Sequence, residues 1–140
     1  MTVEKKFLGR GLKFPWQTTP QTGGIFSQGE VQSTEGVQHV KDSIRQILGT
    51  RIGERCMRRD FGSRSQEIVF EPNDEILASR LRNIIFEAID RWEPRIEVRQ
   101  VNLLNLNPAA GVIDVFINFR IIQTNNQFNI VFPFFLQFRT

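Results

Sequence analysis

Strict alternation near the C-terminus constrains this chain more than any other feature. Ile113, Val115, Ile117, Phe119 and Ile121 share one parity, with Asp114, Asn118 and Arg120 on the other. After "TNNQ" the pattern returns in Phe128, Ile130, Phe132, Phe134, Leu136 and Phe138. A period of two sends one set of side chains to one face of a pleated strand. Upstream, Ile96 and Val98 hold one parity but Val101 and Leu103 the other, which predicts a bulge near Arg99 and Gln100. "NPAAG" and "TNNQ" are turn chemistry, so three consecutive strands are expected as an antiparallel meander. Pro133 falls inside the last pattern and cannot donate to a ladder, which predicts an edge or a bulge there.

Such a sheet needs a cover for its apolar face, and two helical patterns supply one. Val37, Val40, Ile44, Ile47 and Leu48 recur at helical spacing, with Gly49 as the stop. The second helix is marked by Asn73 as N-cap, Asp74 and Glu75 in the first turn, and a stripe of Leu77, Leu81, Ile84, Ile85, Ala88 and Trp92 ending at Pro94. Glu67 to Phe70 is expected as a short strand. The fold class is therefore α+β: a single domain, an antiparallel meander with two amphipathic helices on one face.

Residues 1–32 read differently. Six of the ten glycines fall within residues 1–36, and apolar residues there stand as isolated anchors: Phe7, Leu8, Phe14, Trp16, Ile25 and Phe26. This predicts an extended N-terminal arm, with the α+β domain over 33–140. The parity opposite the core in the last strand carries Val131 and Phe135, more apolar than a solvated face requires. Either the arm covers them or another chain packs there.

Chemistry is sparse. One cysteine, Cys56, excludes an internal disulfide, and the single His39 leaves a Cys/His metal site short of ligands, so no cofactor or metal is expected. Ser63 and Ser65 lie outside any nucleophile elbow, and "GRG" at 9–11 lacks the strand and helix of a phosphate loop. A carboxylate pair such as Glu54 with Asp60 means little without a pocket. No enzyme is expected. Fourteen of the 18 basic residues are Arg, and Arg51, Arg55, Arg58, Arg59 and Arg64 cluster locally. They are interleaved with Glu54, Asp60 and Glu67, which suits a charge-paired protein interface better than a phosphate track, so no nucleic acid is expected. No apolar h-region follows the early lysines, and the run "IVFPFFL" is too short to span a bilayer. Synthesis in the cytoplasm without a signal peptide, and no direct membrane insertion, are the expectations.

The seam "WEPRIEV" at 92–98 places an acid and a base either side of a proline. Pro94 pushes Glu93 out of the α region, and in an extended chain residues two apart point to the same side. Glu93 and Arg95 should then stand together. They either pair internally, with Arg55 or Glu54 as partners, and lock the seam, or present a rigid acid–base pair to a partner.

Three segments in order, "LGTRIGERCMRRDFGS" (48–63), "FEPND" (70–74) and "WEPRIEV" (92–98), resemble the small baseplate-wedge family of contractile tails. The resemblance covers about residues 25–136, and "FLGRGLKFPW" is similar to the arm of members from phage-like injection particles. Members occur in contractile phages, type VI secretion systems and extracellular injection particles, and some carry a lysozyme-like label. The resemblance implies a structural subunit of a sixfold-symmetric assembly, resident in the baseplate of a phage tail or tail-like particle. It implies docking to larger wedge proteins through Glu93, Pro94 and Arg95. It also implies a template for the first ring of sheath subunits, with tube-hub or spike-adaptor proteins as further candidate partners. Arg55, Val131 and Phe135 complete the candidate partner-binding set. A type VI baseplate subunit, a tail peptidoglycan hydrolase and a nucleic-acid adaptor are the rival readings.

Overall fold

The computed structural model describes residues 6–14, 26–27, 30–31, 33–70, 75–104 and 111–135. After a 3-10 turn at Lys6–Leu8 come four short strands: β1 (Arg10–Leu12), β2 (Phe26–Ser27), β3 (Glu30–Val31) and β4 (Ser33–Glu35). Helix α1 (Gly36–Gly49), a 3-10 helix (Ser65–Phe70) and helix α2 (Glu75–Trp92) follow, then β5 (Ile96–Leu104), β6 (Val112–Ile121) and β7 (Gln127–Phe135). The class is α+β, as the periodicities require. The chain groups into two compact units, Met1–Gln46 and Ile47–Thr140.

Within the first unit, β1 pairs antiparallel with β4 and β2 with β3. These ladders have no alternation to announce them. Gly11 in β1 is fixed by close approach: a Cβ there would lie 2.3 Å from His39 Cε1. That contact is the packing role His39 takes. Asp42 is buried, and its carboxylate accepts from Thr34 Oγ1 (2.9 Å), Gln38 Nε2 (3.0 Å) and Arg45 Nη1 (3.2 Å). A buried charge so surrounded escapes most of the desolvation cost an unpaired one would meet.

The second unit begins in the last turn of α1. Its end is capped by side chains: the Ser63 and Ser65 hydroxyls hydrogen-bond each other at 2.6 Å and each lies 3.4 Å from the Leu48 carbonyl, which accepts from whichever hydroxyl keeps its proton free. Gly62 makes that approach possible, because at φ +118 its position would put a Cβ 2.3 Å from the Thr50 carbonyl oxygen. The strand expected at Glu67–Phe70 is instead part of the 3-10 helix, with Glu67 N–H donating to Arg64 O at 3.0 Å. The serine cap turns the chain too sharply to extend, and buried Ile68 anchors the turn.

Helix α2 buries Leu77, Ala78, Leu81, Ile85, Ala88 and Ile89, close to the expected stripe, and lies against β5. Asn73 and Asp74, read as its cap and first turn, lie outside the described residues. The sheet runs β5–β6–β7, all antiparallel. Its register shifts between Val98 and Gln100, the predicted bulge. The inner face is continuous: Val101 opposes Ile117, which opposes Ile130; Leu103 opposes Val115, which opposes Phe132. Burial alternates residue by residue along β6. Pro133 opposes Asp114 on β7, an edge strand among the described residues, where a missing N–H is tolerated. Leu136 and Phe138 lie outside the described residues, as does most of "NPAAG".

Candidate functional site

The seam between α2 and β5 is built by its own residues. Glu93 N–H still donates to Ile89 O at 2.8 Å, a last helical bond. Pro94 has no N–H and its ring would clash with the preceding turn, so the helix stops. A turn at Pro94 and Arg95 leads directly into β5. Ile122 N–H then donates to Arg95 O at 3.2 Å, which sews the seam to the end of β6.

Glu93 and Arg95 come together as expected, but across the turn at Pro94 and Arg95 and not along the extended stretch that the proline suggested. Arg95 Nε donates to Glu93 Oε1 at 2.5 Å and Nη2 to Oε2 at 2.6 Å, a bidentate fork. Glu93 is 2% exposed and Arg95 28%. The hydrogen bond to Glu93 holds the Arg95 guanidinium above its ordinary pKa, against desolvation, with the carboxylate's charge adding to it. Of the two readings left open by the sequence, internal pairing is therefore present, and it joins these two residues to each other. Pro94 stays exposed, so the surface of the seam is a proline knuckle backed by a locked ion pair.

Arg55 takes no part in that lock. Its guanidinium lies over the Phe61 ring, 4.1 Å from the centroid, and Phe61 stands 5.1 Å from Trp92, the last residue of α2. Arg58 and Arg91 flank the Trp92 ring at 5.2 and 5.0 Å. Both guanidiniums pair with Asp60, at 3.4 and 3.5 Å. The loop before them is closed by Gly53 N–H to Arg59 O at 2.8 Å and Arg51 N–H to Glu54 Oε2 at 2.9 Å. Glu54 and Asp60 thus brace a loop, whose exposed rim carries Cys56 and Met57. Phe61 and Arg91 were not singled out by sequence reasoning, which took Asp60 only as half of a carboxylate pair and as one of the acids among the arginines; the signal was an aromatic in an Arg-rich stretch without periodicity.

On the other side of the seam an open groove of about 610 Å³ runs beside Pro94. Phe86, Glu87 and Asp90 line it from α2, Glu97 and Val98 from β5, with Arg120 and Ile122 closing the end. Glu97 and Arg120 form a cross-strand ion pair there. Sequence reasoning missed this groove. Its signal was apolar residues off the period of their own elements: Phe86 beside stripe residue Ile85, and Ile122 directly after inward Ile121.

Val131 lies on the outer face of the sheet, 48% exposed and opposite Phe116; Phe135 pairs with Val112 through the backbone. Seam and outer face are distinct features of the second unit. Among the described residues no group of three or more His, Cys, Asp or Glu is placed to hold a metal ion. No helix among them is long and apolar enough to cross a membrane.

The family described as Baseplate wedge protein gp25 matches residues 34–126. Baseplate protein W of Escherichia phage P2 is 34% identical over 65 residues, covering 46% of this chain and 56% of its own. Baseplate wedge protein gp25 of Enterobacteria phage T4 is 29% identical over 75 residues, covering 54% and 57%. The chain spans little more than half the length of these curated relatives. A Geobacter sulfurreducens crystal structure that bears a tail-lysozyme label superposes with a TM-score of 0.71 at 36% identity, over 76% of this chain and 96% of that one. A chain of the sixfold-symmetrised anti-feeding prophage baseplate gives 0.60 at 26% identity, over 96% and 90%. One from the postcontraction baseplate of pyocin R2 shares the fold, at 0.53 and 23% identity, over 77% and 93%.

Proposed function

The chain belongs to the gp25 baseplate wedge family, and from that premise we propose that it is a non-enzymatic wedge subunit of a phage-like contractile injection apparatus. It docks to larger wedge proteins through the seam and templates the first sheath ring with the outer face of its sheet. Residues 1–32 serve as the arm of that subunit.

The observation that carries the reading is the buried, forked Glu93–Arg95 pair beneath an exposed Pro94. A knuckle whose two flanking side chains are locked keeps one shape before and after docking, which lowers the entropy cost of association. Val131 and Phe116 give the outer face an apolar strip to offer a neighbouring chain. The lysozyme label belongs to the Geobacter protein; here Glu54 and Asp60 hold the loop together.

Electron microscopy of particles carrying Glu93→Gln with Arg95→Gln tests this, with circular dichroism of the isolated chain. A folded variant without sheathed particles supports docking at the seam. Normal particles containing the variant would reduce the pair to a device of the fold. Wild-type particles that assemble without this protein would remove the wedge assignment. Peptidoglycan turnover by the wild-type chain, lost in Glu54→Gln and Asp60→Asn, would overturn the non-enzymatic reading.

A further inference from the structure

The groove beside Pro94 has the chemistry of a receptor for something basic. Its exposed apolar members are Phe86 (37%), Ile122 (51%) and Pro94, gathered in one concavity and not scattered over the surface. Its charged members are three carboxylates against one guanidinium, in a chain whose net charge is +3. Glu97 is held by Arg120, with Arg99 at 3.8 Å. Glu87 and Asp90 have no ion pair among the described residues and stand exposed on the helix rim. An apolar occupant alone would strip water from those two carboxylates without compensation. An occupant that places a cation there gains a charge-assisted contact instead.

The walls of the groove are already set. Arg95 O binds Ile122 N–H at one end, and the Glu97–Arg120 pair holds the strand side. A receptor preorganised in this way orders few of its own groups on binding.

We infer that this groove seats a basic amphipathic segment of a neighbouring baseplate protein. An aliphatic or aromatic side chain of that segment fills the space between Phe86 and Ile122, and a lysine or arginine close to it in sequence meets Asp90 and Glu87. The inference rests on the wedge-subunit reading and deepens it, by stating what chemistry the docked partner must carry.

A photo-crosslinking residue placed at Ile122, in particles assembled from the full chain, tests it. Mass spectrometry of the crosslinked peptide should find a segment with a Lys or Arg within one helical turn of an apolar residue. Asp90→Lys, at an exposed position, should lower the crosslink yield about tenfold, equivalent to roughly 1.4 kcal/mol. Charge reversal of the mapped basic residue should restore it. A crosslink to an acidic or uncharged segment overturns the inference, as does no crosslink, or no effect of Asp90→Lys, in particles that contain the protein. The wedge reading survives all three results. Sheathed particles in which the unmodified chain is absent would sink both.

Discussion

The Phe61 ring stands 5.1 Å from Trp92 at a tilt of 57°, so the Arg-rich loop is fastened to the end of α2 by an aromatic pair. Arg55 closes over the outer ring at 4.1 Å. Phe61→Ala removes partial burial, the ring contact and this cation–π contact together. It is expected to cost about 2 kcal/mol in unfolding free energy. Urea denaturation of the isolated chain measures it, and a loss below about 0.5 kcal/mol would mean the loop is held by its hydrogen bonds and ion pairs without help from the ring.

Because Glu93 is buried and both its oxygens are bound by Arg95, the two residues must be changed together if assembly is to be separated from stability. Arg95→Ala strands a buried carboxylate and should cost about 3–5 kcal/mol, a large share of a typical small domain's stability. The double Gln variant leaves no charge behind and should unfold nearer to wild type. Equal destabilisation of the single and double variants, by guanidinium titration, would contradict this account of the pair.

The same pair has a pH signature. The guanidinium pKa is raised in the folded chain, so its contribution is complete below the unfolded value and is lost only as pH climbs through the folded one. Both lie beyond the working alkaline range, so this lock should not weaken as the solution is made basic. Arg95→Lys substitutes a group that deprotonates near pH 10.4. The gap in unfolding free energy between wild type and this variant should therefore widen above about pH 10. A gap that stays constant to pH 11 would show that the charge of residue 95 contributes nothing to the fold.

Val131→Asp sits on the outer face opposite Phe116 at a half-exposed site. Losing one cross-strand pair should cost no more than about 1 kcal/mol. The variant is expected to fold and to enter baseplates, yet to leave them without polymerised sheath in negative-stain images. Sheath of normal length on such particles would take this strand out of the proposed template.

Much of the second unit was legible because its elements are periodic. Alternation in β6 and β7, the parity switch at Arg99 and the α2 stripe ending before Pro94 each state a geometry directly. The 3-10 helix was not legible: Ile68, Val69 and Phe70 look strand-like until the serine cap on Leu48 bends the chain. The short ladders of the first unit depend on contacts such as Gly11 with His39, 28 residues apart, which no local pattern records. At the seam the spacing foretold that Glu93 and Arg95 would meet. It left open whether the acid faces inward, because that depends on how deeply α2 and β5 bury the turn between them.

The order β5–β6–β7 has a consequence for how this chain reaches its mature form. Each strand of the sheet hydrogen-bonds to its immediate successor, so no ladder waits for a distant segment to be synthesised. The Glu93–Arg95 fork is more local still, closing over two residues. Contacts of such short sequence separation favour rapid folding. The sheet can thus be completed from contacts between successive strands alone, with no long-range closure step.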